Sequence, residues 1–230
     1  MESMYTGGEY LENNPTWHQE DAPWKAHQVA KLIVDKSLNP KSVCEVGCGT
    51  GQILVQLARD FPATKFVGYD ISPHAYDIWN KNKSPSVDYR LQDIFDGSAE
   101  HFDMMLIIDV IEHVEDLFGF LRKLRDLSTT KIFHIPLDLS VQSVLRSGPI
   151  TNLRRSVGHI HYFTKELALS TLQDCGYEII DFRYTASRLE LPDQALSSRL
   201  MAVPRRILFR INPALTVRIL GGYSLLVLAR

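Results

Sequence analysis

Residues 43–51, Val43-Cys44-Glu45-Val46-Gly47-Cys48-Gly49-Thr50-Gly51, constrain the fold more than any other stretch of the chain. A short apolar run leads into glycines at alternate positions. Gln52-Ile53-Leu54-Val55-Gln56-Leu57-Ala58 follows with apolar residues at helical spacing. The apolar run suits a strand covered on both faces of a parallel sheet. The glycines let the backbone turn tightly and leave room for a ligand to lie against it. Strand, glycine turn and helix N-terminus together make a nucleotide-sized binding corner.

The surrounding pattern extends this unit. A helix is expected from Pro23, with Asp21 ahead of it as a cap and Asn39-Pro40 ending it. Strands are expected at 65–70, 87–91, 102–108 and 131–135. Helices are expected between them, to Phe61, from Pro73 to about Asn82, and over 117–127. Regular alternation of this kind over 22–135 builds a parallel, doubly wound sheet with right-handed crossovers. Residues 137–163 read as irregular. Thr164–Cys175 reads as a capped helix closed by Gly176, and 177–184 and 223–229 read as strands.

Composition excludes several classes. The chain has 230 residues, 45% hydrophobic and 23% charged, enough for a sizeable core without disulfides or a structural metal. Three cysteines, Cys44, Cys48 and Cys175, form no zinc-binding pattern and read as small buried thiols. Their sparse, odd count, with no signal-peptide pattern, points to a reducing cytoplasm. The net charge of −2 argues against DNA or general nucleic-acid binding, and no run is long and apolar enough to span a membrane. Charge is uneven, however. Residues 186–230 carry seven arginines, no lysine and two acids, making that segment +5 and the remainder −7. It reads as a solvated helical face with Leu200, Val203, Ile207 and Ile211 packing inward. The alternative is contact with an anionic acceptor or peripheral contact with an anionic membrane surface.

The third glycine falls at Gly51, one residue early for a dinucleotide-binding turn. The pattern Glu45-x-Gly47-x-Gly49-x-Gly51 instead resembles the first motif of class I S-adenosylmethionine-dependent methyltransferases, of the bacterial small-molecule type. Asp70 matches the acid that family uses on the ribose hydroxyls, and Gln92-Asp93-Ile94 its adenine contact. Asp109-Val110-Ile111-Glu112-His113-Val114 matches its fourth motif. The resemblance covers residues 40–185 and the last strand. It implies a single methyltransferase domain over 1–230 with a Rossmann-like seven-stranded, mostly parallel sheet whose last strand is antiparallel. It also implies S-adenosylmethionine as the methyl donor, held by Glu45, Gly47, Cys48, Gly49, Gly51, Asp70, Ile71, Asp93, Ile94 and Asp109.

The acceptor side has weaker signals. Residues 1–21 form an arm, either a loose cap or a lid, whose Trp17 and His18 are candidates for contact with a small-molecule acceptor. An arginine-rich insertion spans 186–222. A base is needed only for a protonated nucleophile such as a hydroxyl, and His113, His159, His161 and, in the arm, His18 are the candidates. The run Gly158-His159-Ile160-His161-Tyr162-Phe163-Thr164 is similar to one preceding the penultimate helix in bacterial small-molecule relatives. The resulting expectation is transfer to a hydroxyl oxygen, with no metal. One alternative is a metal-assisted O-methyltransferase, because Asp109, Glu112, His113 and His161 resemble the ligand set of small-RNA 2′-O- and ubiquinone-pathway enzymes. The other is a cofactor-binding relative that serves as a scaffold.

Overall fold

Side chains of the central strands alternate between two apolar layers. On the strand Phe102–Ile108, Met104, Leu106 and Ile108 face one layer while Met105 and Ile107 face the other. A computed structural model describes residues 19–81, 84–96, 100–190 and 202–230. The arm candidates Trp17 and His18 lie outside these residues, as does Leu200.

Seven strands form one sheet in the order β3-β2-β1-β4-β5-β7-β6. They are β1 Ser42–Val46, β2 Lys65–Asp70, β3 Val87–Leu91, β4 Phe102–Ile108, β5 Ser128–Pro136, β6 Ile179–Thr185 and β7 Ser224–Ala229. β7 is inserted between β5 and β6 and runs antiparallel to both. The sheet therefore has the seven-stranded, doubly wound form read from the sequence. Helices α1 (Ala22–Asp35), α2 (Gln52–Asp60) and α3 (Pro73–Lys81) cover one face, with Leu32, Leu54, Leu57 and Trp79 buried. Helix α4 (Leu117–Leu124) and a later helix, Lys165–Asp174, cover the other through Leu121, Leu124, Ala168 and Leu172. All three cysteines are buried and unpaired.

The structure corrects four local expectations. Asp21 does not cap α1 with its side chain, because a 3-10 turn, Gln19–Asp21, leads into the helix and holds Asp21 in a helical conformation. β5 begins at Ser128, three residues earlier than its apolar run suggests. Residues 137–163 contain two helices, α5 (Val141–Arg146) and α6 (Gly148–Ser156). Ser140 and Ser143 close a reciprocal capping box at the start of α5. After α7 (Lys165–Asp174) and a short α8 (Ser187–Glu190), the arginine-rich insertion holds α9 (Ala202–Ile211) and α10 (Pro213–Leu220).

The facing of α9 is the fourth correction. Val203, Ile207 and Ile211 point to solvent, while Arg205 is buried. Two stripes fit the helical repeat, 203/207/211 and 202/205/209. The second wins because Phe209 stacks on Tyr223, with ring centroids 4.9 Å apart, and Arg205 donates to the Leu220 carbonyl at 3.3 Å.

Candidate functional site

The C-terminal ends of β1 to β5 converge on a cavity of about 840 Å³, where ligands of open α/β sheets bind. At one end of it the chain leaves β1 through the glycine turn. Gly47 and Gly51 both adopt left-handed backbone, with φ of +67° and +72°. A Cβ on Gly51 would collide with the Tyr89 ring, and one on Gly47 would come within 2.9 Å of Val110. The turn is thus packed from behind by β3 and by the loop after β4, which holds its open side toward the cavity.

Asp70 closes β2 and is fixed before any ligand arrives. Its Oδ2 accepts from Gly49 N at 2.8 Å and its Oδ1 from Ser72 N at 2.8 Å. Burial raises its pKa, against the pull of those backbone donors. A carboxylate offers about four acceptor positions, so each oxygen can still accept a ligand hydroxyl. Gly47, Cys48, Gly49, Ile71 and Asp93 line the same end of the cavity. Ile94 does not: it is buried in the core beneath. Gly51 sets the turn and the start of α2 without lining the cavity.

A second polar group stands where β1, β4 and β5 end. Asp109 has left-handed backbone, φ +54°, a strained setting for a non-glycine residue, and its N–H donates to the His134 carbonyl at 3.0 Å. One of its oxygens meets Lys25 Nζ at 2.8 Å and the other His134 Nδ1 at 2.6 Å. Burial pushes its pKa up, but Lys25 and His134 outweigh that and hold the carboxyl well below the usual range. His134 Nε2 lies 2.9 Å from Thr185 Oγ1, and Trp24 packs edge-on against its ring. Glu45 is buried nearby, with Oε2 lacking a hydrogen-bond partner among the described residues. Burial raises its pKa well above normal.

The other end of the cavity is built across a long separation in sequence. The backbone carbonyl of Glu112 accepts from Ile160 N at 2.8 Å and His161 N at 3.1 Å, tying the loop after β4 to the segment before α7. His159 Nδ1 lies 2.6 Å from Asp138 Oδ2, and its Nε2 lies 4.0 Å from Glu112 Oε1. His113 Nε2 is 3.8 Å from the same oxygen, its Nδ1 is 3.2 Å from the Gly158 carbonyl, and its ring stands edge-on to that of His159 at 4.9 Å. Burial, and then His159, lower the His113 pKa to about 4, so it is neutral near pH 7.

Glu112 is fully buried, and neither carboxylate oxygen has a hydrogen-bond donor among the described residues. Burial, reinforced by Asp109, holds its pKa well above normal. One ligand atom from each of Glu112, His113 and His159 falls within 4.8 Å of the others. That is a tighter group than the sequence-based set. Asp109 is engaged by Lys25 and His134, while His161 Nε2 turns to the Val114 carbonyl at 2.7 Å and does not line the cavity.

Lys25, His134 and Asp138 are polar cavity or near-cavity groups that sequence reasoning missed. Lys25 sits on an ordinary amphipathic helix and His134 inside an apolar strand. Only the His134 position carries a signal, being a polar residue in a run otherwise facing the core.

Comparison with known proteins agrees with this geometry. A family model described as a methyltransferase domain matches residues 17–181. A ubiquinone biosynthesis O-methyltransferase of Methylocella silvestris is 32% identical over 85 residues, a stretch covering 35% of this chain and about a third (32%) of that protein's length. Magnesium protoporphyrin IX methyltransferase of Synechocystis PCC 6803, solved with S-adenosylhomocysteine, superposes with a TM-score of 0.60 at 18% identity. The alignment covers 95% of this chain and 85% of that one. Coclaurine N-methyltransferase, also bound to S-adenosylhomocysteine, gives 0.61 at 14% identity, covering 89% and 72%. The chain belongs to the methyltransferase-domain family, and its sheet has the fold of class I S-adenosylmethionine-dependent methyltransferases.

Proposed function

We propose that the chain methylates a hydroxyl oxygen of a small molecule, with the donor at the glycine turn and the acceptor between that turn and His159. The single observation behind this reading is the Asp138–His159–Glu112 arrangement, which shares a cavity with the turn and Asp70. In it the methyl donor is held by Gly47, Cys48, Gly49, Ile71 and Asp93, with Asp70 accepting from the ribose hydroxyls.

S-adenosylmethionine bound there supplies a methyl group on a positively charged sulfur, which leaves as a neutral thioether. No departing anion needs stabilising, so the chain's contributions are alignment, exclusion of water and removal of the hydroxyl proton. Asp138 accepts from Nδ1–H of His159, which leaves Nε2 with the lone pair facing the cavity. As the carbon–oxygen bond forms and the carbon–sulfur bond breaks, Nε2 takes the acceptor proton.

A second reading is favoured by Glu112. A buried carboxylate with no donor suits a divalent cation, and Glu112, His113 and His159 would hold it. Such a cation would polarise the acceptor hydroxyl. The oriented Nδ1 atoms of both histidines, against Asp138 and the Gly158 carbonyl, are what ligating imidazoles require.

Transfer of a labelled methyl group to panels of hydroxyl and amine compounds tests the main reading. Ether products support it, and products methylated only on nitrogen overturn it. Calorimetry with magnesium, manganese and zinc, on the native chain and on Glu112→Gln, tests the second. Absence of binding, with full turnover in excess chelator, discards it.

A further inference from the structure

Three helices outside the sheet turn apolar side chains to solvent. Val203, Ile207 and Ile211 of α9 are 62%, 55% and 74% exposed, Leu215 of α10 is 52% exposed, and Val144 and Leu145 of α5 are 55% and 80% exposed. α10 packs against both α9 and α5, so the three form one assembly. This is the reverse of what water favours for a free surface; α9 and α10 already bury a different stripe through Ala202, Phe209 and Val217, and α5 buries no side chain fully.

The charge around these side chains has one sign. Residues 139–158 and 202–222 contain no aspartate, glutamate or lysine. They present six exposed arginines: Arg146, Arg154, Arg155, Arg206, Arg210 and Arg218. Arg218 meets Glu166 at 2.9 Å, so compensation comes from outside these segments. Apolar helical faces beside arginine, without carboxylates, have the chemistry of a helix lying in a bilayer interface. The guanidinium fork suits phosphate better than a lysine ammonium does. A second copy of the chain is a poorer occupant, because it would bring a like-charged face against this one.

We propose that the face formed by α5, α9 and α10 docks the enzyme onto an anionic phospholipid bilayer. The inference goes beyond the proposed reaction and does not depend on it. α6, which carries Arg154 and Arg155, also gives Leu153 to the wall of the cavity, and Val157, just after it, joins that wall. Docking therefore brings the wall nearest His159 toward the lipid interface.

Sedimentation of the full chain with vesicles tests the proposal, using phosphatidylglycerol–phosphatidylcholine mixtures against phosphatidylcholine alone, at low and high salt. Binding to the anionic vesicles is expected, weakening as salt rises. The pair Leu145→Gln/Ile211→Gln, and separately the triple Arg154→Gln/Arg155→Gln/Arg210→Gln, should each lower partitioning by about tenfold or more. All five side chains are exposed, so calorimetric binding of S-adenosylmethionine should persist in both variants. Equal partitioning onto anionic and neutral vesicles, or none, overturns the proposal. So does a native chain that dimerises without lipid and becomes monomeric in the Leu145→Gln/Ile211→Gln variant.

Discussion

His159 Nδ1 and Asp138 Oδ2 lie 2.6 Å apart, and this contact decides which imidazole nitrogen faces the cavity. Asp138 accepts a hydrogen bond from Nδ1–H, so Nε2 is the basic nitrogen. His159→Ala should lower kcat by about 10²- to 10⁴-fold, the usual worth of a positioned base, with little change in KM for the donor. Asp138→Asn should lower kcat less and change the pH–rate profile, because the ring loses its anionic partner. Steady-state kinetics on a hydroxyl acceptor checks both.

Glu112 invites a double measurement. A buried carboxyl with no donor among the described residues destabilises the fold, so Glu112→Leu should leave the melting temperature unchanged or raise it in the presence of chelator. Activity should fall by at least about tenfold, as for loss of a positioned catalytic group. A purely structural carboxylate would give the opposite pair of results.

Asp70 should govern donor affinity. Each hydroxyl-to-carboxylate hydrogen bond contributes about 1.5–3 kcal/mol. Asp70→Asn should therefore raise the dissociation constant for S-adenosylmethionine by about 10- to 100-fold, read by calorimetry. Part of that loss comes through Gly49 N, which the same carboxylate holds.

The glycine turn separates backbone effects from contact effects. Gly51→Ala forces a side chain into left-handed backbone and into the Tyr89 ring, and should cost about 2 kcal/mol or more. Gly148→Ala meets no atom within 4 Å and is helical, so it should be neutral or stabilising. Chemical denaturation of the two variants gives the comparison.

Asp109 predicts an acid dependence. Its folded-state pKa lies below the unfolded value of about 3.9, so its stabilising contribution is present above that pH. It is lost as pH falls through the folded value. Asp109→Asn should lose about 1–3 kcal/mol at pH 7, since it leaves Lys25 and His134 without their anion. The gap to the native chain should close as the pH drops below about 4. A gap independent of pH would show that the carboxylate's charge is not what stabilises.

The glycine-turn end of the cavity was readable from sequence because it is local. Gly47 follows β1 directly, Asp70 closes β2 and Asp93 comes just after β3, and strand ends are where this architecture puts ligands. The acceptor half was only partly readable. His159 and His161 look equivalent two residues apart, yet the Val114 carbonyl engages one while Asp138 and Glu112 engage the other. Nothing local distinguishes them, since all three partners are distant in sequence. α5 was hidden because it is only six residues long and its start signal is two serines, Ser140 and Ser143. The facing of α9 was hidden because two stripes satisfy the same period, and the choice between them depends on Tyr223 and Leu220.

The carbonyl of Glu112 also sets an order of assembly. Groups at the glycine-turn end lie within 45–93, and the Gly49–Asp70 contact that joins them spans 21 residues, against 47 for His161–Val114. The acceptor side exists only when 112–114 meets 158–161. Contacts of that separation form late and open first, because loop closure must precede their reward. The fold should therefore retain its glycine-turn corner in states that have already lost the Glu112–His159 end of the cavity. Partial unfolding should silence turnover before it releases the cofactor.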